Sequence, residues 1–310
     1  MYSELKDIPS FESWRIIKKV NEGWSTDSKF YIEDYDGNRL LLRISDAASY
    51  DNKLKEFEFI KKCNSLAISM SQAIQFGFCN NKNNVYILLT WVEGDCLKTV
   101  LSGYTESEQY KLGLQAGRIL KSIHSLKVHP TENIIAYDKK DKMLDKLRRY
   151  ENSINRVSED QFAIDFVKNN IGKINSLAPV YKHGDYHIGN LILTPCGMVG
   201  VIDFNRWEYG DRYEEFYKIQ SFDVEVSIPF SIGQIHGYFD GEPSLEFWNI
   251  LAVYVAYTSL NSIVWAEKFG EDEIDGMKKR CITAFNDYYN FKTVIPNWYK
   301  VNSDKYISIK

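Results

Sequence analysis

The reading turns on one stretch, His183-Gly184-Asp185-Tyr186-His187-Ile188-Gly189-Asn190, followed by Val201-Ile202-Asp203-Phe204. It holds a carboxylate, a carboxamide five residues on, and a second carboxylate 13 residues after that, at the end of an apolar run. Phosphoryl transfer to a hydroxyl asks little more of a protein. A carboxylate must orient the hydroxyl and take its proton, oxygen ligands must hold magnesium against the phosphates, and a cation must steady the nucleotide. Asp185 suits the first task, and Asn190 and Asp203 suit the second. The same stretch admits another chemistry, because His183, Asp185 and His187 are ligand types for a transition metal. The other three of the five histidines, His124, His129 and His236, have no matching spacing. His187 then reads as structural or substrate-facing.

The chain before this stretch is β-rich. Residues 14–20 and 29–34 are strand-like, joined by NEGWSTD, and the Asp-Gly turn at 35–38 leads into a third strand at 39–45. Residues 51–66 read as a helix with Leu54, Phe57 and Ile60 available for one face. Residues 72–78 and 85–91 read as two more strands, the second (VYILLTW) apolar enough to be buried. After Gly94 the pattern turns helical. Thr105 and Glu108 form a capping box, and Leu112, Ala116, Ile119, Leu120 and Ile123 make a helical stripe. Charged helical sequence follows at 140–175, two short strand-like runs at 191–194 and 198–204, and mainly helix from Tyr213 to Tyr289. This is an α+β plan in two lobes. A small antiparallel-sheet lobe spans 1–93, a larger helical lobe spans 94–310, and the hinge lies at Thr90 to Asp95.

The bulk properties narrow the classes. A net charge of −4 without a basic stripe makes no case for nucleic acid or a membrane surface. The five cysteines, Cys63, Cys79, Cys96, Cys196 and Cys281, are scattered, so a reduced cytoplasmic setting is expected and a disulfide framework is not. The first residues do not read as a signal peptide. The greasiest stretch, Phe247 to Trp265, is broken by Asn249, Asn261 and Ser262 and reads as a buried helix. Oligomeric state is not legible.

H-G-D-x-x-x-x-N followed by an apolar pair and Asp resembles the catalytic loop and metal aspartate of the aminoglycoside phosphotransferase family, which shares the protein-kinase fold. The order of elements agrees over roughly residues 14 to 225. The resemblance implies a bilobal protein-kinase-like fold, ATP or GTP as donor, Mg2+, and a small hydroxyl-bearing acceptor. It makes Asp185 the catalytic base, Asn190 and Asp203 the magnesium ligands, and His183 a brace for the loop.

On the nucleotide side, Gly23-Trp24-Ser25 lies in the first strand-to-strand turn, where the family covers the phosphates and Ser25 would hydrogen-bond them; a plain hairpin turn fits these residues as well. The third strand of a kinase presents a lysine to the phosphates, but here RLLLRIS presents Arg43, whose planar fork can grip phosphate. Glu56 is its expected partner, with Glu58 close behind. By analogy the Thr90 carbonyl and Val92 amide face the base. On the acceptor side, residues 203–225 hold seven carboxylates, Glu208, Asp211 and Glu214 among them, against three cations. They would form an acidic floor for an amino sugar, or would simply start a helix. Three classes stay open: an aminoglycoside-like antibiotic kinase, a kinase of a macrolide or amino-alcohol metabolite, and a nucleotide-binding pseudokinase.

Overall fold

The computed structural model describes residues 2–21, 27–128, 139–174 and 178–306. The first half runs β1 (Trp14–Val20), β2 (Ser28–Asp34), β3 (Arg39–Asp46), α1 (Tyr50–Cys63), β4 (Ser69–Met70), β5 (Ala73–Cys79), β6 (Asn84–Thr90), β7 (Asp95–Cys96), α2 (Leu97–Val100) and α3 (Glu106–His124). Then come α4 (Lys139–Glu151), α5 (Gln161–Asn170), β8 (Val180–Lys182), β9 (Leu191–Leu193), β10 (Val199–Val201), β11 (Glu208–Gly210), α6 (Ile228–Phe239), α7 (Leu245–Ala266), α8 (Glu271–Asp287) and α9 (Asn297–Asn302). Two compact units result: Met1–Asp95 with Ile192–Trp207, and Cys96–Leu191 with Glu208–Lys310. Neither is continuous in sequence, whereas the sequence reading put one break after residue 93.

In the first unit, five strands form an antiparallel sheet in the order β1-β2-β3-β6-β5. The β2–β3 turn is closed by Asp34, whose Oδ1 accepts from the amides of Asp36 and Asn38, with Gly37 at φ 82° as the Asp-Gly signal requires. Side chains alternate along β3. Leu40, Leu42 and Ile44 join Phe30, Ile32, Tyr86 and Leu88 in one core. The residue between them, Arg43, is buried as well. In α1 the buried positions are Glu56, Phe59, Ile60 and Cys63. The expected face of Leu54, Phe57 and Ile60 is therefore rotated: a hydrophobic reading could not place a glutamate inward, and Glu56 is inward because Arg43 meets it there. The helix stops at Cys63 because the next side chain, Asn64, ties the chain down: its Nδ2 donates to the Ser71 carbonyl and its Oδ1 accepts from the Ala73 amide. Further along, Phe204 and Trp207 pack on Phe59, the Trp207 ring stacked at 4.7 Å, and β10 pairs in parallel with β4.

The second unit is helical. Thr105 and Glu108 form the expected capping box of α3, and its predicted stripe is buried. Helices α3 and α6 meet through two glycine pairs. A Cβ at Gly113 would lie 2.2 Å from the Phe230 carbonyl oxygen and one at Gly117 2.1 Å from that of Gln234. Gly233 and Gly237 of α6 face Tyr110 and Leu114 as closely. Backbone packs on backbone here, a contact only glycine permits. The α7 helix is long and apolar enough to cross a membrane, but most of its apolar window is buried inside the fold. The strand pair β8–β11, which places Lys182 opposite Glu208, was not anticipated. Residues 214–223 form 3-10 and π turns, and regular α-helix begins only at Ile228. All five cysteines are free.

Candidate functional site

The first unit contributes a buried charge network. Arg43, 3% exposed, donates through Nη1 to Glu56 and through Nη2 to Asp27 Oδ2 at 2.5 Å. Lys53, one turn before Glu56 on α1, donates to Asp27 at 2.6 Å and to Glu56 at 3.1 Å. Ser45 donates to the other Asp27 oxygen at 2.7 Å. Burial alone would raise the Asp27 carboxyl, but Arg43, Lys53 and Ser45 outweigh it and hold the group at about 2. Burial opposes the charge of Arg43 too, yet Glu56, Asp27 and Asp203 hold its guanidinium above the ordinary arginine range. Of the two candidate partners, Arg43 meets Glu56, while Glu58 is exposed. Lys53 and Asp27 were missed from sequence; the i, i+3 spacing of Lys53 and Glu56 was their one legible sign.

Asp203 follows β10 in a left-handed backbone conformation, φ 64° and ψ 66°. A non-glycine residue held there commonly marks function. Lys29 of β2, opposite Arg43 in the register, places its Nζ 3.8 Å from the Asp203 carboxylate. Past β6 the Trp91 amide donates to the Arg39 carbonyl, and Val92 to Gly94 then run outside regular structure. The Thr90 hydroxyl accepts from the Gln72 amide, so its side chain is tied to the sheet. Ser25 lies outside the described residues.

The second unit contributes the loop from His183 to Asn190, fixed from several sides. His183 is fully buried, and its Nδ1 accepts from the Asp185 amide at 3.3 Å. The amides of His183 and Gly184 donate to the two Glu215 carboxylate oxygens at 2.7 and 2.8 Å. Tyr186 donates to the Ala116 carbonyl, and the Ile188 amide donates to Asp223 at 2.9 Å. The Asn190 side-chain Nδ2 donates to the Asp185 carbonyl at 2.9 Å, and Oδ1 is the acceptor end of that carboxamide. Lys218 places its Nζ 2.5 Å from Asp185 Oδ1. Burial keeps His187 neutral, its pKa pulled down to about 4.

Among the described residues no three His, Cys, Asp or Glu side chains converge as a metal-binding group. His183, turned into the loop, is lost to the transition-metal alternative. Asn190 Oδ1 and the Asp203 carboxylate are hard oxygen donors of the type magnesium takes, and magnesium asks for only one or two carboxylates.

The acidic floor expected after Asp203 needs correction. Glu208 and Glu214 both pair with Lys182, Glu208 at 2.7 Å, and both also lie beside Lys139. Burial would raise Glu214, but the two lysines bring it down to about 2. Asp211 is fully buried, accepting from the Tyr213 amide and from the Tyr254 hydroxyl. Glu215 and Asp223 hold the loop, and Glu225 pairs with Arg280. These carboxylates neutralise buried cations and cap backbone. Composition showed the acids but not Lys139 and Lys182, which arrive from elsewhere in the chain.

A buried cation–carboxylate network on a five-stranded sheet and a braced Asp-to-Asn loop in a helical unit are the two halves of a protein-kinase-like phosphotransferase. The sequence pattern of the phosphotransferase enzyme family matches residues 16–248, and the chain belongs to that family. It is an enzyme that transfers a phosphoryl group to a hydroxyl. No curated protein sequence matches it. Among solved structures, a point mutant of aminoglycoside 2'-phosphotransferase-IIIa in its GDP complex is 12% identical, with 92% of this chain and 96% of that one covered and a TM-score of 0.73. A thermostable mutant of aminoglycoside phosphotransferase APH(4)-Ia with ADP and hygromycin B is 15% identical, covering 92% and 98%, TM-score 0.69. Amicoumacin kinase with AMP-PNP and Ca2+ is 13% identical, covering 92% and 92%, TM-score 0.64. At such identities the likeness shows the fold, α+β with an antiparallel-sheet N-terminal part and a helical C-terminal part.

Proposed function

We propose that the enzyme moves the γ-phosphate of ATP or GTP, held with Mg2+, onto a hydroxyl of an antibiotic-like small molecule. The carrying observation is the braced loop: Asp185 sits in it with its amide and its carboxylate both fixed, and Asn190 is tied back to it. In this reading Asp185 accepts the hydroxyl proton. Asn190 and Asp203 are the magnesium ligands, and the metal neutralises charge on the phosphates when bound. Arg43, positioned by Glu56 and Asp27, steadies the nucleotide phosphates, and Thr90 and Val92 offer main-chain groups to the base. His183 braces the loop. The nucleotides and aminoglycosides named with the structural neighbours support this assignment of donor and acceptor class.

A second reading of the acceptor has its own support. With Glu208, Asp211 and Glu214 tied into ion pairs and caps, the family's polycationic sugars lose an electrostatic reason to bind there, and a macrolide or amino alcohol of lower charge gains. A thermal-shift screen with magnesium nucleotide decides, using kanamycin, gentamicin, hygromycin B, erythromycin and choline, followed by transfer of labelled γ-phosphate. Transfer to none of the five, with nucleotide bound, would overturn both acceptor readings.

A further inference from the structure

Lys218 lies 33 residues past Asp185 and belongs to no motif, yet its side chain reaches the loop carboxylate. It sits just before the π-turn Ile219–Asp223, where the Val224 amide donates to the Ile219 carbonyl at 3.0 Å. In an α-helix, residues 218 and 223 would point about 140° apart. The wider turn brings them toward one face, and π-turns of this kind concentrate at functional sites. Lys218 and two side chains of the turn accordingly meet the loop. Lys218 Nζ is 2.5 Å from Asp185 Oδ1, the Phe222 ring is 5.0 Å from that of His187, and Asp223 accepts from the Ile188 amide. Lys218 is only 5% exposed, and its ammonium lies over the rings of Tyr217 and Phe222, at 5.2 and 5.3 Å. Burial works against its charge, but Tyr217 and Asp185 more than compensate and keep it protonated.

We propose that Lys218 is a positioning residue for phosphoryl transfer, presented by the π-turn to anchor Asp185 Oδ1 and so fix the orientation of its carboxylate. The inference rests on the reading of Asp185 as base. In the step it serves, the acceptor oxygen forms a bond to the γ-phosphorus. The bond from that phosphorus to the β–γ bridging oxygen breaks, and the nucleoside diphosphate leaves with the electron pair. The hydroxyl proton passes to the Asp185 carboxylate, while Lys218 keeps its own protons throughout. A carboxylate that is free to turn about its side chain would spend most of its time misaligned, and small misplacements of a reacting group are costly in rate.

The test uses the full chain with magnesium ATP and magnesium GTP, water as acceptor, labelled phosphate release as readout, and nucleotide affinity by calorimetry. Lys218→Met should lower kcat at least tenfold with nucleotide KM within about twofold, and Lys218→Arg should fall between the two. Adding Lys218→Met to Asp185→Asn should slow the enzyme no further, because both act through one carboxylate. If Lys218→Met keeps kcat within twofold of the parent while Asp185→Asn is slow, the base assignment stands and the Lys218 proposal falls. If Asp185→Asn itself turns over normally, both fall. A loss confined to thermal stability or to KM would reduce Lys218 to packing and overturn the proposal. Lys218→Arg keeps the buried charge and reports even if Lys218→Met does not fold; a parental rate from it would also count against positioning.

Discussion

Removing the Arg43 guanidinium tests how the first unit is built. Arg43→Ala leaves Asp27 and Glu56, each with a side chain only 4% exposed, facing a void where their shared cation stood. Breaking a buried ion pair by deleting one partner costs about 3–5 kcal/mol, because the remaining charge stays desolvated. Lys53 still reaches both carboxylates, at 2.6 and 3.1 Å, so the lower end, about 3 kcal/mol, is expected. The carboxyl of Asp27 gives an independent scale. Its fall from 3.8 to about 2 corresponds to roughly 2 kcal/mol of stability. Since the folded value is depressed, that contribution is present above about pH 4 and is lost as pH falls toward about 2. Urea unfolding followed by tryptophan fluorescence at pH 7 and at pH 3 measures both. Arg43→Ala should lose about 3 kcal/mol at pH 7 and show a shallower decline toward pH 3. A loss under 1 kcal/mol with an unchanged acid limb would refute the argument. A nucleotide-affinity test at this position belongs to Arg43→Lys, which keeps the charge but not the two-pronged donor geometry. It should weaken nucleotide binding while unfolding near the parental urea midpoint.

Asp185→Asn should lose a factor of about 10²–10⁴ in turnover while binding magnesium nucleotide normally in calorimetry, as expected for loss of a general base. Chelation of divalent metal should abolish phosphate transfer, and magnesium should restore it where zinc does not, since Asn190 and Asp203 are oxygen donors. Gly117→Ala would set a methyl carbon 2.1 Å from the Gln234 carbonyl, so α3 and α6 must part and the urea midpoint should drop by the equivalent of about 1–3 kcal/mol. The buried Asp223 carboxyl is raised to about 7 by desolvation, so its ionisation destabilises the fold progressively from about pH 4 to pH 7; Asp223→Asn, which still accepts from Ile188, should flatten that decline and unfold later than the parent at pH 8.

Much of this was legible because it is local. The β2–β3 turn, the Thr105–Glu108 box and the stripe on α3 each depend on residues within a turn or two, and periodicity or a cap finds them. Asp185, Asn190 and Asp203 were singled out because phosphoryl transfer to a hydroxyl calls for oxygen groups of these types. What escaped is long-range and polar. Asp27 and Lys53 close around the expected Arg43–Glu56 pair, and Lys182 neutralises acids 26 and 32 residues away. The glycine pairs of α3 and α6 have no hydrophobic signature at all, since their role is the absence of a side chain.

The failed acidic floor and the unforeseen Lys218 have one physical origin. A carboxylate in a sequence is a negative charge only if it stays in water; a buried one must find a cation or a backbone donor or give up its charge. The well-shielded acids from Asp211 to Asp223 follow that rule. Glu214 takes Lys182, which the exposed Glu208 also reaches; Glu215 takes two loop amides, and Asp223 takes one amide and has its pKa raised. The rule applies equally to the loop's own acid. Asp185 is partly shielded and carries Lys218 as its cation. Asp185, the proposed base, therefore presents a compensated ion pair where composition suggested a field of negative charge. On the second reading of the acceptor, recognition there rests on shape, hydroxyl geometry and aromatic surface more than on attraction of a polycation. Raising ionic strength should then change kcat/KM for the true acceptor by less than about threefold between 0.1 and 1 M salt, over which the Debye length falls from about 10 to 3 Å. A tenfold or greater loss would show that uncompensated carboxylates steer the acceptor after all.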